Sequence, residues 1–264
     1  MPKPFKIIYT TDPLCSFCWA LEPQLTKLLF HYEPYIDLEV RMGGLFLEDA
    51  PVDIHQLRAG LKSVSLKYQL PIAYDEASLN WAKHSLLACQ LYLIVKQQQP
   101  DEAIKLLRKM REKQMLFNQD ISSLKTLETL LIEQNLPVQY LQPLDSPASK
   151  QLLYEDFGVN RVLQADLYPT LSIIYQNGHG KKLSGYVTFE EMETTLKTFD
   201  PLIKAQPLKN LEDYLQDQDL ILFSEIEQVY SLPFEQVDNF VATNQPVHSE
   251  VISILSTKAL KSVD

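Results

Sequence analysis

The sequence predicts an α/β protein built from a βαβ unit, a long helical segment, and a β-hairpin followed by a helix. An apolar run at residues 5–9 predicts the first strand, and the alternating stretch Ile36–Met42 predicts the second. Between them, apolar residues at spacings of three and four predict a helix to about Tyr32, kinked at Pro23. Two short strands joined by a helix form a parallel pair with a right-handed crossover.

The middle of the chain, residues 77–165, is predicted to be almost entirely helical, with helices over 79–96, from Pro100, over 120–133 and over 146–165. Strand character returns at residues 169–175, and Asn177-Gly178 before another apolar run indicates a hairpin. A helix over about 189–198 closes the unit. This order is that of a thioredoxin fold with a large helical insertion at about residues 76–165.

The last quarter of the chain differs in composition from the rest. Residues 201–264 contain four lysines and ten acidic residues, a net charge of −6 out of −10 for the whole chain. Short helices are predicted at 208–215, 224–230, 234–243 and 247–255, an order typical of helix-turn-helix or winged modules. Because the charge is negative, a protein-binding face or a docked appendage is favoured over DNA binding. We therefore expect one domain over residues 1–200 and a small acidic helical region over 201–264.

Length, charge and cysteine content exclude several classes of protein. The chain has 264 residues, 45% of them hydrophobic, and a formal net charge of −10, which disfavours binding to nucleic acid or to anionic lipid. No apolar stretch approaches the roughly 18 residues of a membrane span, and the N-terminus lacks a secretory signal, so we expect a soluble cytoplasmic protein. Structural disulfides are rare in the cytoplasm, so the three cysteines suggest one reactive pair and one further unpaired cysteine.

The reactive pair is Cys15 and Cys18, which lie where the first strand passes into the helix. Thiols at positions i and i+3 of a first helical turn face the same way and can form a disulfide. Cys15 lies nearer solvent and the positive helix end, so we expect it to attack and Cys18 to resolve the mixed disulfide. Asp12 is expected to cap the helix and to oppose a thiolate, which predicts only a moderately lowered pKa for Cys15.

The alternative interpretation of the same two cysteines is an inert structural pair or half of a zinc site. Zinc needs four ligands, and no second paired cluster of Cys or His occurs in the chain. No metal is therefore expected, and no glycine-rich nucleotide motif suggests a cofactor. The third cysteine, Cys89, lies on an apolar helix face and is expected to be a small buried hydrophobe.

A second motif, Tyr168-Pro169-Thr170, opens the predicted third strand. In a thioredoxin fold this position holds a cis-proline beside the cysteines, so Pro169 joins Cys15 and Cys18 as an expected catalytic residue. Its missing N–H would leave backbone groups of Tyr168 free to pair with an extended peptide. Thr170 and Trp19 complete the expected binding residues. An ordinary strand-opening proline is the alternative.

These motifs resemble known families. The strand–Cys-x-x-Cys–helix start, Pro23 and the Tyr-Pro-Thr motif resemble the thioredoxin superfamily, and the helical insertion resembles its DsbA family. Residues 12–19, DPLCSFCW, are similar to the start of cytoplasmic FrnE-like members. The tail stretches at 208–216 and 225–233 look like those of the YjbH (SpxH) branch.

The resemblance implies two functions of different class. The YjbH branch implies an adaptor that presents the stress regulator Spx to the ClpXP protease. FrnE-like members imply a thiol-disulfide oxidoreductase or isomerase that uses Cys15 and Cys18 on client disulfides. The acidic tail favours the adaptor because it contributes nothing to dithiol exchange. The intact cysteine pair keeps the enzymatic function as the alternative.

Overall fold

A four-stranded mixed sheet of order β2-β1-β3-β4 is the centre of the computed structural model, which describes residues 2–45, 53–74 and 79–263. The central strand β1 (Phe5–Thr11) runs parallel to β2 (Ile36–Met42) and antiparallel to β3 (Thr170–Tyr175). The edge strand β4 (Gly180–Ser184) pairs antiparallel with β3. The predicted parallel pair and the predicted hairpin are both confirmed.

Helix α1 (Ser16–Tyr32) is the crossover between β1 and β2, and it runs as one helix through Pro23. After the hairpin, α7 (Phe189–Phe199) begins with a capping box, in which the Thr188 hydroxyl accepts from the backbone N–H of Glu191 and the Glu191 carboxylate accepts from that of Thr188. Both helices contribute buried side chains to the core around β1 and β3. The predicted β-α-β and β-β-α halves therefore share one buried core.

Five α-helices and a short 3-10 helix (Val138–Leu141) occupy the described residues between β2 and β3, which confirms the large helical insertion. The α-helices are α2 (Ile54–Tyr68), α3 (Leu86–Gln98), α4 (Pro100–Met115), α5 (Leu124–Glu133) and α6 (Pro147–Val162). The expected start at about residue 76 missed α2, although its apolar residues recur at spacings of three and four, at Ile54, Leu57, Leu61, Val64 and Tyr68. Helix α3 begins seven residues after the predicted residue 79, and α6 continues through Gly158.

The C-terminal region is an α/β module and not a purely helical one. Its elements are α8 (Leu211–Gln218), β5 (Leu220–Leu222), α9 (Phe223–Tyr230), α10 (Phe234–Asn244), β6 (Ser249–Ile254) and β7 (Thr257–Ser262). The three strands form an antiparallel sheet of order β5-β7-β6 within the described residues. Helix, strand, two helices and a hairpin follow in the order of a winged helix-turn-helix, so we call it the winged module.

The prediction of a helix over residues 247–255 is wrong, because residues 249–254 form β6. Val251, Ile252 and Ile254 are β-branched and favour the strand, where such side chains lose less rotamer freedom. Leu255 adopts a left-handed φ of 51° and begins the two-residue turn into β7. A stretch this short has too few repeats to separate a strand period from a helix period.

No helix in residues 2–45, 53–74 or 79–263 is long and apolar enough to cross a membrane.

Candidate functional site

The two cysteines lie at the junction of β1 and α1, as expected. Cys15 is itself the N-cap residue of α1, and its Sγ accepts a hydrogen bond from the backbone N–H of Cys18 at 3.2 Å. Both thiols are free, with Cys15 5% exposed and Cys18 fully buried. Any reagent therefore reaches the pair through Cys15. The expectation that Asp12 caps the helix is wrong, since Cys15 holds that position.

Asp12 instead fixes the surroundings of the pair. Its buried carboxylate accepts from the backbone N–H groups of Leu14 and Leu45 at 2.8 and 2.7 Å. It also accepts from the Ser85 hydroxyl at 2.8 Å and from the thiol of the fully buried Cys89 at 3.5 Å. Burial raises the pKa of Asp12, although these hydrogen bonds oppose the rise. One carboxylate thus ties together the turn before α1, the segment after β2 and the start of α3.

The two thiols ionise as a pair, and the protein stabilises the negative charge on Cys18. Burial raises the pKa of Cys15 well above its ordinary value, and the hydrogen bond and charge of Cys18 and the carboxylate of Asp12 add to the rise. Burial also acts to raise the pKa of Cys18, but the hydrogen bond from Cys15, the charge of Arg111 and the Thr11 hydroxyl bring it below its ordinary value. The predicted lowering at Cys15 is wrong because desolvation outweighs the helix terminus.

This arrangement predicts the effect of Asp12→Asn. Removing the negative charge eliminates one contribution that raises the pKa of Cys15, so alkylation of Cys15 should reach its midpoint at a lower pH than in the wild type. The rate of iodoacetamide modification of the Cys15 peptide, measured by mass spectrometry across pH, checks this. The exposed Glu33→Gln is the matched control and should leave the midpoint in place. A midpoint unchanged by Asp12→Asn would contradict the electrostatic account.

The Tyr168–Pro169 peptide bond is cis, as predicted, and it faces the cysteines. The carbonyl oxygen of Tyr168 lies 3.6 Å from the Sγ of Cys15, within hydrogen-bonding reach of a thiol. The Tyr168 hydroxyl donates to the carbonyl of Gly43 at 2.9 Å, so the ring is held over the turn that follows β2. The structure therefore brings Cys15, Cys18, Tyr168 and Pro169 together.

Two of the expected binding residues, Trp19 and Thr170, are fully buried. The indole Nε1 of Trp19 donates to the carbonyl of Pro71 at 3.2 Å, and the guanidinium of Arg108 lies 4.4 Å from the ring centroid. The Thr170 hydroxyl donates to the carbonyl of Leu167 at 2.7 Å. A partner cannot touch either side chain in this conformation, so both are packing residues.

Sequence reasoning missed a buried ionic cluster behind the dithiol. Arg108 donates to both carboxylate oxygens of Glu225 at 2.6 and 2.9 Å and to Glu112 at 2.8 Å, and it also pairs with Glu22. Arg111 donates to the second oxygen of Glu22 at 2.5 Å. We call these five residues the ionic cluster. Their only signal in the sequence is that Arg108, Arg111 and Glu112 share the buried face of α4.

The ionic cluster joins three parts of the chain to the cysteines. Glu22 belongs to α1, both arginines belong to the insertion, and Glu225 belongs to the winged module. The positive charge of Arg111 also favours the Cys18 thiolate, because it lowers the pKa of that thiol. The charge state of the dithiol is therefore set partly by the cluster that holds the winged module.

The exposed surface beside Cys15 is aromatic. Phe17 is 43% exposed, and its ring contacts that of Tyr68 edge-on, with 6.0 Å between the ring centroids. Tyr68 in turn stacks on Tyr186, with 4.0 Å between the ring centroids. Burial raises the pKa of Tyr186 to about 12. Such a ridge suits an apolar side chain of a protein partner.

A family model described as Thioredoxin matches residues 9–194. The chain belongs to the thioredoxin family. The match includes Cys15, Cys18, the helical insertion and the hairpin, and it leaves the winged module outside.

Among curated proteins, the ClpXP adapter protein SpxH of Shouchella clausii is 27% identical over 255 residues, covering 91% of this chain and 82% of the relative. Four further relatives with that name are 21–25% identical.

Two solved structures with a similar fold are described as thiol-disulfide proteins. One from Nitrosomonas europaea, described as a protein disulfide isomerase, has a TM-score of 0.64 and 19% identity, covering 75% of this chain and 98% of its own. Another from Streptomyces coelicolor, described as a DsbA oxidoreductase, has a TM-score of 0.59 and 14% identity. The match covers 78% of this chain and 94% of the neighbour's. The likeness confirms a DsbA-like thioredoxin fold.

Proposed function

We propose that this protein is a cytoplasmic adaptor that presents the stress regulator Spx to the ClpXP protease. The observation that carries the proposal is the extent of the match to the SpxH relative, 91% of the chain. Residues 1–200 make up about three quarters of the chain. A match over 91% of the chain must therefore include part of the winged module. The disulfide isomerase neighbour covers only 75%. The match to the SpxH relative therefore covers more of the chain than the match to this neighbour.

The winged module supports a protein partner better than a nucleic acid. In helix-turn-helix proteins the second helix of the motif reads DNA with basic side chains. The equivalent helix here, α10, contains Glu235 and Asp238 and no Lys or Arg. Its first residue, Phe234, is 71% exposed. An acidic helix with an exposed aromatic residue repels phosphates and suits a protein surface.

The chemistry of the dithiol supports the alternative, a thiol-disulfide oxidoreductase. Cys15 would attack a client disulfide and form a mixed disulfide, while the client sulfur that leaves takes up a proton. Cys18 would then attack Cys15, which releases the client as a dithiol and leaves a Cys15–Cys18 disulfide. Two electrons pass to the client, so a cellular thiol must reduce the pair again. Free thiols facing a cis-proline favour this function, whereas the raised pKa of Cys15 opposes rapid attack.

Reconstitution distinguishes the two functions. We expect the wild-type protein to accelerate degradation of Spx by purified ClpXP several-fold, and the double variant Cys15→Ala/Cys18→Ala to do so equally. Disulfide reduction is measured on the same samples with insulin and a thiol reductant. No acceleration of Spx degradation, together with rapid insulin reduction that requires Cys15, would overturn the adaptor in favour of the enzyme.

A further inference from the structure

A groove of about 630 Å³ lies between the end of α2 and the winged module. One wall is formed by Leu66 of α2, and the floor by residues 69–74. The opposite wall is formed by Glu227 of α9, by Phe234 at the start of α10 and by Leu255 in the β6–β7 turn. The groove is distinct from the aromatic ridge beside Cys15, because none of the three ridge residues lines it.

Three large apolar side chains are exposed in this groove. Leu66 is 65% exposed, Phe234 71% and Leu255 43%. They come from three separate elements yet line one concavity. Single exposed apolar residues are common on protein surfaces, but a convergent set marks an interaction site.

Buried contacts and hydrogen bonds hold the floor of the groove. Leu70 and Ile72 are buried in the same apolar cluster as Trp19, and the carbonyl of Pro71 accepts the Trp19 indole N–H. The backbone N–H of Ala73 donates to the carbonyl of Met115 at 2.6 Å. A preformed floor lowers the entropy cost of ordering a bound segment.

The charge of the groove selects the occupant. Among its described lining residues the only charged side chain is Glu227, and neither Lys nor Arg is present. Burial raises the pKa of Glu227, and the neighbouring carboxylate of Glu235 adds to the rise, so a cation placed here would relieve the repulsion. An apolar segment with one basic residue matches both the walls and the charge.

We propose that this groove binds a segment of the client protein in which large apolar side chains flank a lysine or arginine that pairs with Glu227. The proposal rests on the adaptor function and names the surface and the kind of sequence it takes. The apolar side chains would contact Leu66, Phe234 and Leu255, and the basic side chain would lie over α9. The cysteines take no part in this contact.

Direct binding of Spx to the full-length chain tests the groove. We expect Leu66→Glu and Phe234→Glu each to weaken the Kd for Spx at least tenfold, measured by calorimetry. Glu227→Gln should weaken binding and flatten its dependence on salt. The control variants Leu202→Glu and Val247→Glu change side chains that are 86% and 91% exposed and lie outside the groove, and they should alter Kd less than twofold. Circular dichroism of each variant checks that it is folded.

The outcomes separate this proposal from the one on which it rests. Tight binding by the wild type with equal affinity in the groove variants would overturn the groove and leave the adaptor standing. No binding of Spx by the wild type would overturn both. Loss of binding in Leu202→Glu or Val247→Glu to the same degree as in Phe234→Glu would also overturn the groove, because the contact would then not be local.

Discussion

Replacing Arg108 with leucine is expected to lower the free energy of unfolding by about 3–5 kcal/mol. Arg108 is 6% exposed, and its guanidinium bonds to three carboxylates, those of Glu22, Glu112 and Glu225. Leucine would leave Glu225 without its partner cation in the ionic cluster. Glu225 is only 1% exposed, so water cannot replace that partner. An uncompensated buried charge costs far more than the net gain of a surface pair. The variant would also lose the contact between the guanidinium and the Trp19 ring.

Urea unfolding of Arg108→Leu and of Lys258→Ala provides the comparison. Lys258 pairs with Asp238 at 2.5 Å, but both side chains are more than half exposed, so its loss should change stability by less than about 1 kcal/mol. The double variant Arg108→Leu/Glu225→Leu should recover part of the loss, because the stranded carboxylate is gone. A cost below about 1 kcal/mol for Arg108→Leu would show that the cluster does not hold the winged module in place.

Replacing Gly43 with alanine is expected to destabilise the protein by about 1–3 kcal/mol. A Cβ at this position would lie inside the van der Waals surface of the Tyr168 ring. That ring is held by its hydroxyl on the carbonyl of Gly43, and the carbonyl of Tyr168 faces Cys15. The substitution therefore displaces the segment that carries Pro169 away from the dithiol, and alkylation of Cys15 should become faster.

Two other substitutions test the cause of this effect. Gly158 lies inside α6, and apart from its chain neighbours and its own helix backbone no atom lies within 4 Å of the position that a methyl group there would occupy. Gly158→Ala should therefore raise stability by about 0.5–1 kcal/mol. Removing the ring in Gly43→Ala/Tyr168→Ala should restore part of the lost stability if the clash is the cause. Thermal unfolding of the three variants and of the wild type gives both answers. A double variant no more stable than Gly43→Ala would contradict the steric explanation.

The sequence predicts those parts of the protein that depend on neighbouring residues. The period of Ile36–Met42 and the Asn177-Gly178 turn are local features, and both led to correct elements. The position of Cys15 at the start of α1 and the cis bond before Pro169 followed from short motifs. In each case the residues that determine the structure lie within a few positions of one another.

Features set by distant contacts could not be predicted. The pKa of Cys15 depends on burial that residues far along the chain provide, and its predicted direction was therefore wrong. The ionic cluster joins Glu22, Arg108 and Glu225, which are separated by 86 and 117 residues. The exposure of Trp19 was misjudged for the same reason, since Pro71 and the winged module cover it. Only the tertiary structure brings these groups together.

The order of the central sheet has a consequence for synthesis on the ribosome. β1 pairs with β3 from Phe5–Tyr175 to Thr10–Thr170, a separation of at least 160 residues. At roughly 5–20 residues per second, the nascent chain carries β1 for about 8–30 s before that partner is made. Throughout that interval one edge of β1 has no neighbour, and its unpaired backbone N–H and C=O groups are open to pairing with other chains. We expect the emerging polypeptide to depend on chaperone protection until residue 175 has left the exit tunnel.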